Sequence, residues 1–336
     1  MAAQVFRLSR NSEYRKAGPT DLVELLAPPG NNPLFLLKWL VDTLVYAIVR
    51  HEFVHLSGPT GSAKSSLLEA LYLVPENFRS LCASLGFAVK PLKLYPVEMA
   101  IYEAPGELYQ RRSLKDGTTY DEMSKLVQAL EDAAKCRNDC YPLIWLREMG
   151  RVHSSSVQGG LLNLMTRNDI LLPDGRRIDG AGIAWVADSN YQAEQDSNHT
   201  LVNLDDALKR RFSINLTLDY LSGEQEVQVL EYLVVEMKLG TLDRELIAKV
   251  VKLGQAIRRQ RLEGNLQSLV PPTIYGYLAF LKMAQSLTYL SLQQVAIVTL
   301  LGNAGLEDRK LVFSVLNEVF GLQNTQEEDP TGGNLF

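Results

Sequence analysis

The chain has 336 residues, which is enough for one large domain or for two of ordinary size. With 46% hydrophobic and 22% charged residues it has the composition of a globular protein, which excludes the fibrous, disordered and disulfide-scaffold classes. The formal net charge of -5 excludes a general electrostatic attraction to nucleic acid or to an anionic membrane. Function therefore has to be inferred from local motifs.

Cysteine usage and the apolar segments indicate the cellular compartment. Cys82, Cys136 and Cys140 lack the spacing of a zinc site, and we expect them to be free thiols. The N-terminal segment MAAQVFRLSR contains no apolar stretch of a secretory signal. The longest apolar run, residues 34–49, is interrupted by charges and is shorter than a membrane span. These features predict a cytoplasmic protein that does not associate with a membrane.

The first part of the chain alternates strand and helix patterns. Residues 1–32 form a predicted N-terminal arm, and a helix is expected to begin near Pro33 and to continue to residue 49. The further predicted elements are strands at 53–56, 141–146 and 182–187, helices at 65–73 and 157–165, and a hairpin with strands at 170–172 and 176–178. Strands that alternate with helices predict a doubly wound α/β sheet covered on both faces.

From about residue 222 onward only helix patterns remain. They cover residues 224–237, 242–259, 273–288 and 292–301. We therefore predict an α/β domain over residues 33–220 and an all-helical domain over residues 221–322. The acidic segment 323–336, which is rich in helix breakers, is predicted to be a mobile tail.

The clearest functional motif follows the first predicted core strand. Residues 58–65 read GPTGSAKS, which matches the phosphate-loop pattern G-x-x-x-x-G-K-[ST] except that Ala63 stands where glycine is usual. In this pattern backbone N–H groups converge on a phosphate, the lysine reaches the β- and γ-phosphate oxygens, and the following hydroxyl ligates magnesium. The pattern predicts ATP or ADP and Mg²⁺ as cofactors. The predicted nucleotide contacts are Gly58, Pro59, Thr60, Gly61, Ser62, Ala63, Lys64, Ser65 and Ser66, with Ser65 also the magnesium ligand.

The context of the loop decides how specific the motif is. A chance glycine-rich turn is the alternative, but this loop follows an apolar strand and opens a helix with apolar periodicity, which favours nucleotide binding. We expect Ala63 to cost little, because the backbone at a helix start should be right-handed helical.

Several segments after the loop occur in an order that is typical of one family. They are APGEL at 104–108, KDGTT at 115–119, LVQAL at 126–130, LLNLM at 161–165, ILLPDGRRI at 170–178, a strand ending in Asn190, and an arginine-rich segment at 205–212. Together with the phosphate loop they resemble the MoxR/CbbQ branch of the AAA+ ATPases over residues 35–290. The resemblance implies an α/β AAA+ P-loop NTPase core, a doubly wound parallel sheet, with a C-terminal all-helical lid domain.

The resemblance also implies roles for residues at the strand ends. The family has Asp-Glu after the strand at 141–146, where this chain has Arg147 and Glu148. Glu148 is implied to be the general base that polarises the attacking water. Arg147 stands where an aspartate would orient magnesium, so we expect weaker magnesium binding unless Arg147 itself contacts phosphate, and a surface Arg–Glu pair is the alternative. Asn190 is implied to hold the attacking water, and Asp188 is the second candidate for the acidic metal partner.

A basic segment after Asp205 and Asp206 resembles the one that supplies an arginine finger to a neighbouring subunit. Arg211 aligns best and Arg210 lies beside it, and a guanidinium group suits the stabilisation of transition-state charge. A solvated basic helix end is the alternative. A finger that acts on a neighbour implies a homo-oligomer, which we expect to be a hexameric ring. In the helical domain the family's arginine is missing from PPTIY at 271–275, where Tyr275 carries no charge.

Three functions remain open on this basis. The first is a MoxR-like AAA+ ATPase that remodels or activates a partner protein, which the resemblance implies to be a client or a von Willebrand factor A-domain protein. The second is a nucleotide-binding assembly switch with weak or no hydrolysis, favoured by Arg147 and Tyr275. The third is a DNA-associated loader, which the net charge disfavours, so nucleic acid is not expected as a partner.

The hairpin residues Arg176 and Arg177 are expected either to face a ring pore or client, or to lie in a solvated loop.

Overall fold

The computed structural model describes residues 6–7, 21–115, 117–152, 154–190, 204–237, 239, 243–266, 269–302 and 304–321. The chain divides into two compact units, Met1–Tyr220 and Leu221–Phe336. The predicted N-terminal arm and the predicted α/β domain fall within the first of these units. The predicted tail at 323–336 lies outside the described residues.

The first unit alternates strands and helices along the chain. Its elements are β1 (Phe6–Arg7), β2 (Leu22–Leu25), β3 (Leu34–Leu37), α1 (Lys38–Val49), β4 (Phe53–Gly58), α2 (Lys64–Leu73), α3 (Pro75–Ser84), β5 (Leu92–Glu98), β6 (Gln110–Lys115), β7 (Thr118–Met123), α4 (Lys125–Cys136), β8 (Tyr141–Arg147), α5 (Ser155–Leu164), β9 (Asp169–Leu171), β10 (Arg177–Asp179), β11 (Ala184–Asn190), α6 (Asp206–Arg211) and β12 (Ile214–Thr217).

The core of this unit is a five-stranded sheet in the order β12-β4-β11-β8-β5, and every neighbouring pair is parallel. Alternate residues of β8 belong to different cores, since Ile144 packs with α4 and α5 whereas Leu143 packs with α1, α2 and α3. Burial of both faces explains why the predicted core strands are continuous apolar runs. The prediction of a doubly wound parallel α/β sheet is confirmed.

The predicted start of the first helix is wrong. Residues Leu34–Leu37 form β3, which pairs antiparallel with β2, and α1 begins only at Lys38. β2 and β3 both carry buried apolar side chains, so pairing satisfies the backbone of this segment while its side chains reach the core.

The prediction of free thiols at Cys136 and Cys140 is also wrong. The two cysteines form a disulfide across the turn between α4 and β8, where their Cα atoms lie 5.7 Å apart. Cys136 ends α4, and the turn that follows the helix brings Cys140, four residues later, within bonding distance. Cys82 is free and buried, and burial raises the pKa of its thiol to about 12.

In the described residues of the second unit, helices are the regular secondary structure, which confirms the prediction of an all-helical C-terminal part. Its helices are α7 (Gly223–Glu236), α8 (Arg244–Leu262), α9 (Ile274–Ser286), α10 (Leu292–Thr299) and α11 (Leu306–Phe320), of which the last was not predicted. Ser222 and Ser291 begin α7 and α10 with reciprocal capping hydrogen bonds to Gln225 and Gln294. Within the described parts of the chain, no helix combines the length and apolar character needed to cross a membrane.

Candidate nucleotide-binding site

The loop between β4 and α2 has the backbone geometry of a phosphate cradle. A Cβ atom added to Gly58 would lie 2.0 Å from the carbonyl oxygen of Leu218, so only glycine fits there. Gly61 has a φ of 81°, which glycine adopts without strain. The phenol of Tyr220 donates a 2.7 Å hydrogen bond to the Thr60 carbonyl oxygen at the tip of the loop. The loop is therefore held from behind by the segment that follows β12, a contact for which the sequence carried no signal.

The expectation that Ala63 costs little is wrong. Ala63 has φ 72° and ψ 21°, which is the left-handed region rather than the right-handed helical one. An L-residue with a side chain costs roughly 1–2 kcal/mol in this region. The motif places glycine at this position because the loop must turn left-handed just before α2 begins.

The Lys64 ammonium group lies inside the loop. Lys64 is 7% exposed, and its Nζ donates 2.8 Å hydrogen bonds to the carbonyl oxygens of Gly58 and Pro59. Lys64 is also the first residue of α2, so the positive end of the helix and the ammonium group act on the same space. The arrangement concentrates positive charge where the sequence predicted a phosphate.

Two observations test whether the loop fits a phosphate group. The Ser62 hydroxyl is buried and has no hydrogen-bond partner within the described residues, which leaves a polar atom of the cradle unsatisfied. Gly58 keeps the inner wall of the loop free of a side chain. Buried donors in a narrow backbone cradle suit the oxygens of a phosphate, so the residues present fit the predicted nucleotide. Of the remaining predicted contacts, Pro59 is buried, whereas Thr60 and Ser66 are exposed.

The acidic residue after β8 has an unusual backbone. Glu148 has φ 53° and ψ 48°, in the left-handed region, and its N–H donates a 2.7 Å hydrogen bond to Oδ1 of Asp188. Its carboxylate lies 3.1 Å from the Arg151 guanidinium, and both side chains are 42% exposed. Strained non-glycine residues cluster at functional sites when their surroundings fix them. The predicted general base is therefore held at the sheet edge by one backbone contact and one exposed ion pair.

Arg147 is engaged with neighbours on its own side of the sheet. Its guanidinium lies 3.8 Å from a Glu98 carboxylate oxygen and 4.8 Å from the centre of the Trp145 ring. Burial raises the pKa of Glu98, and the charge of Arg147 opposes that shift. The alternative of a surface pair between Arg147 and Glu148 is therefore wrong, because Arg147 pairs with Glu98 and Glu148 pairs with Arg151.

Asp188, the second candidate at the sequence level, lies beside the loop. It is 4% exposed, and Oδ2 accepts a 3.4 Å hydrogen bond from the Ser65 hydroxyl. Burial raises the pKa of the Asp188 carboxyl, while the Glu148 N–H and the charges of Lys64 and Arg147 lower it. The structure therefore brings the predicted magnesium ligand Ser65 together with Asp188.

Asn190 ends β11 directly beside the loop. In the parallel pairing of β11 with β4, Asn190 is the register partner of Gly58. Next to it, Ser189 accepts or donates a 2.8 Å hydrogen bond with Nε2 of His55 on β4. The side chain of Asn190 is half-buried, so the predicted sensor lies at the level of the loop.

The predicted finger residues lie at the end of α6. Asp205 caps this helix, and Lys209 pairs with Asp206. The side chains of Arg210 and Arg211 are exposed and make no hydrogen bond or ion pair with the residues that the structure describes. The structure does not bring them into contact with the loop of their own chain.

The hairpin of β9 and β10 holds its arginines in ion pairs. Arg176 lies 2.6 Å from Glu131 on α4 and 2.6 Å from Asp174 in the turn. The Arg176 hydrogen bonds lower the pKa of Asp174. Arg177 pairs across the hairpin with Asp169 at 3.6 Å. Arg176 thus anchors the hairpin to α4.

Sequence reasoning missed a buried arginine near the segment PPTIY. Arg258 on α8 donates a 2.9 Å hydrogen bond to the Pro272 carbonyl oxygen and pairs with Glu226 on α7 at 2.7 Å. A helical arginine facing inward could have been found only from its position on the apolar side of α8.

In the described residues there is no group of three or more His, Cys, Asp or Glu side chains that could hold a metal ion by themselves. A magnesium ion at the loop would therefore need nucleotide phosphates in addition to Ser65 and its neighbour Asp188.

Comparisons with known proteins add little to this geometry. No protein-family model matches the chain, and no curated protein matches it. Among solved structures, the chain is similar to a Cytophaga hutchinsonii protein described provisionally as an ATPase. The two sequences are 15% identical, the match covers 83% of this chain and 88% of that chain, and the TM-score is 0.38. At that TM-score, neither the fold nor the function inferred for the chain rests on the likeness.

Proposed function

We propose that this protein is an AAA+ ATPase that binds ATP and ADP at residues 58–66 and hydrolyses ATP. The observation that carries the proposal is the buried Lys64 ammonium inside a loop that joins a central parallel strand to a helix N-terminus. A cradle of this kind is a recurrent solution for the binding of nucleotide phosphates.

The chain's own residues divide the chemistry of hydrolysis between them. Lys64 neutralises charge on the β- and γ-phosphate oxygens, and the Ser65 hydroxyl would hold a magnesium ion, which supplies further charge neutralisation when bound. Glu148 orients and deprotonates the attacking water, and Asn190 holds that water at the end of β11. For this role the Glu148 carboxylate must leave Arg151, which costs little because the ion pair is exposed.

The finer assignment is to a MoxR-like ATPase that works as a ring. The order of segments from the phosphate loop to Arg211 supports this assignment, and so do two exposed guanidinium groups without partners in the described chain. Arg211, with Arg210 beside it, would reach the γ-phosphate of the neighbouring subunit in a hexamer. The motion of such a ring would remodel or activate a client or a von Willebrand factor A-domain partner in the cytoplasm.

A nucleotide-operated assembly switch is the second candidate. Arg147 replaces the magnesium-orienting aspartate of the family, and its guanidinium pairs with Glu98. Loss of that aspartate would slow hydrolysis without weakening the phosphate cradle. Bound nucleotide would then stabilise one assembly state by mass action.

Two measurements on the same preparation separate these candidates. Titration of the full chain with a fluorescent ADP analogue reports binding, and release of inorganic phosphate from ATP reports hydrolysis. We expect Lys64→Ala to abolish binding, whereas Lys125→Ala, at an exposed lysine on α4, should leave it unchanged. Binding together with phosphate release supports the ATPase, and binding without release supports the switch. Unchanged binding by Lys64→Ala would contradict both.

A further inference from the structure

We infer that Asp188, at the end of β11, is the acidic partner of the magnesium ion and replaces the aspartate missing from the end of β8. The inference rests on the proposed nucleotide site. It assigns a metal-positioning role to a residue one strand away from the place where the family carries its carboxylate.

The hydrogen bonds of Asp188 place it correctly for this role. Oδ2 accepts from the hydroxyl of Ser65, the predicted magnesium ligand, at 3.4 Å, and Oδ1 accepts from the N–H of Glu148 at 2.7 Å. One carboxylate therefore joins the residue that would bind the ion to the residue that would activate the water. A group that holds a metal ligand in place also tunes the affinity for the metal.

The sheet register explains why a carboxylate on β11 can take the place of one on β8. β11 lies between β4 and β8, and Ala187 of β11 is the register partner of Leu146 of β8. The next residues, Asp188 and Arg147, are therefore level with each other on neighbouring strands, which are about 4.8 Å apart. Asp188 is one strand closer to β4 and its loop than any side chain on β8. From there a short aspartate reaches Ser65 directly.

The partners of Arg147 support the same assignment. Its guanidinium is held by Glu98 on β5, the strand on the far side of β8 from the loop, and by the face of Trp145. A buried carboxylate at 4% exposure needs compensating charge, and Lys64, Arg147 and the Glu148 N–H all act on Asp188. Magnesium would add the divalent charge that a buried carboxylate next to a serine hydroxyl favours.

The test compares the affinity for a fluorescent ADP analogue in magnesium and in EDTA. We expect the wild-type protein to bind the analogue more tightly in magnesium than in EDTA. In Asp188→Asn the ratio of the two affinities should fall by about 10- to 100-fold, while the affinity in EDTA changes little. Asparagine keeps the size of the side chain and can still accept from the Glu148 N–H. Thermal unfolding of the same samples checks that the variant is folded.

Two further variants make the outcome decisive. Asp132→Asn, an exposed aspartate on α4, is the matched control and should keep the full magnesium effect. The double variant Arg147→Asp with Asp188→Asn carries a carboxylate at the end of β8 instead of β11. It should regain part of the magnesium-dependent increase in affinity. An unchanged magnesium effect in Asp188→Asn overturns this inference but leaves the proposed function intact. Failure of the wild-type protein to bind the analogue in either buffer would instead contradict the nucleotide site itself.

Discussion

Two non-glycine residues at the site, Ala63 and Glu148, share the left-handed backbone region, with φ of 72° and 53°. Each such residue costs of order 1–3 kcal/mol and persists only where its neighbours fix it. Ala63 is fixed by the turn from the loop into α2, and Glu148 by its hydrogen bond to Asp188. Strain is therefore concentrated on either side of the space predicted for the phosphates.

Replacement of Ala63 by glycine tests this strain. Release from the left-handed penalty of about 1–2 kcal/mol exceeds the extra chain entropy of glycine, about 0.5–1 kcal/mol. We expect Ala63→Gly to raise the free energy of unfolding by about 0.5–1 kcal/mol in urea denaturation.

The matched control for this change is Ala134→Gly within α4, where the backbone is right-handed helical. There the same substitution should lower the free energy of unfolding by about 1 kcal/mol. Equal destabilisation by both substitutions would show that Ala63 is not strained.

At the scale of elements, α7 and α8 are joined by a buried ion pair. The side chains of Glu226 and Arg258 are 2% and 9% exposed, and their charged atoms lie 2.7 Å apart. Burial raises the pKa of Glu226, and Arg258 opposes that shift. Arg258 also lies over the ring of Tyr277 and bonds the Pro272 carbonyl, so it links α8 to α9 as well.

Removal of one partner of this pair should be far more harmful than removal of both. Glu226→Ala leaves a buried guanidinium uncompensated, and we expect a loss of about 3–5 kcal/mol in the free energy of unfolding. The double replacement Glu226→Met with Arg258→Met should recover most of that loss, because two apolar side chains need no compensating charge. Circular dichroism during urea denaturation measures both. A double variant less stable than Glu226→Ala would show that the pair contributes net stability.

The burial of an element decides whether the sequence predicts it. β4, β8 and β11 lie inside the sheet and consist largely of buried apolar residues, so the sequence pattern predicts them. β5 is an edge strand with polar alternation and Pro96, which an edge tolerates because its outer N–H groups need no ladder partner. The exposed hairpin of β6 and β7 has no buried face in its described side chains and hence no apolar signal.

The site shows the same division between local and non-local information. The phosphate loop is a contiguous motif, and two of its carbonyl oxygens accept hydrogen bonds from the Lys64 ammonium group. The left-handed turn at Ala63 and the contact between Ser65 and Asp188 depend on how α2 meets β11, and residues 123 positions apart leave no trace in local pattern. The role of Asp188 was therefore visible only as a second candidate.

At the scale of the whole molecule, the predicted arginine finger can be tested by mixing two inactive variants, because a finger acts on a neighbouring subunit only in an oligomer. Arg211→Ala should keep nucleotide binding and lose ATP turnover by roughly 10³-fold or more, since an arginine finger contributes about that much. Lys64→Ala should lose binding but retain its arginine. Mixing the two inactive variants should restore phosphate release, because the intact site of one meets the intact finger of the other.

Arg79→Ala, at an exposed arginine on α3, is the control for this experiment and should behave as wild type. If Arg211→Ala alone kept the full rate of ATP turnover, Arg211 would not be an arginine finger. Activity lost in each variant and not regained on mixing would indicate that Arg211 acts within its own chain.

The tether from Tyr220 to the tip of the loop has a consequence for biosynthesis. Its hydrogen bond joins residues 160 positions apart, and β12, which precedes Tyr220, is the last strand of the sheet to leave the ribosome. Domains fold largely as they are synthesised, and contacts of long sequence separation form late. A nascent chain that stops short of residue 220 thus carries every residue of the motif but lacks the hydrogen bond to the tip of the loop. We expect the proposed nucleotide site to take its final shape only when the α/β unit has been fully translated.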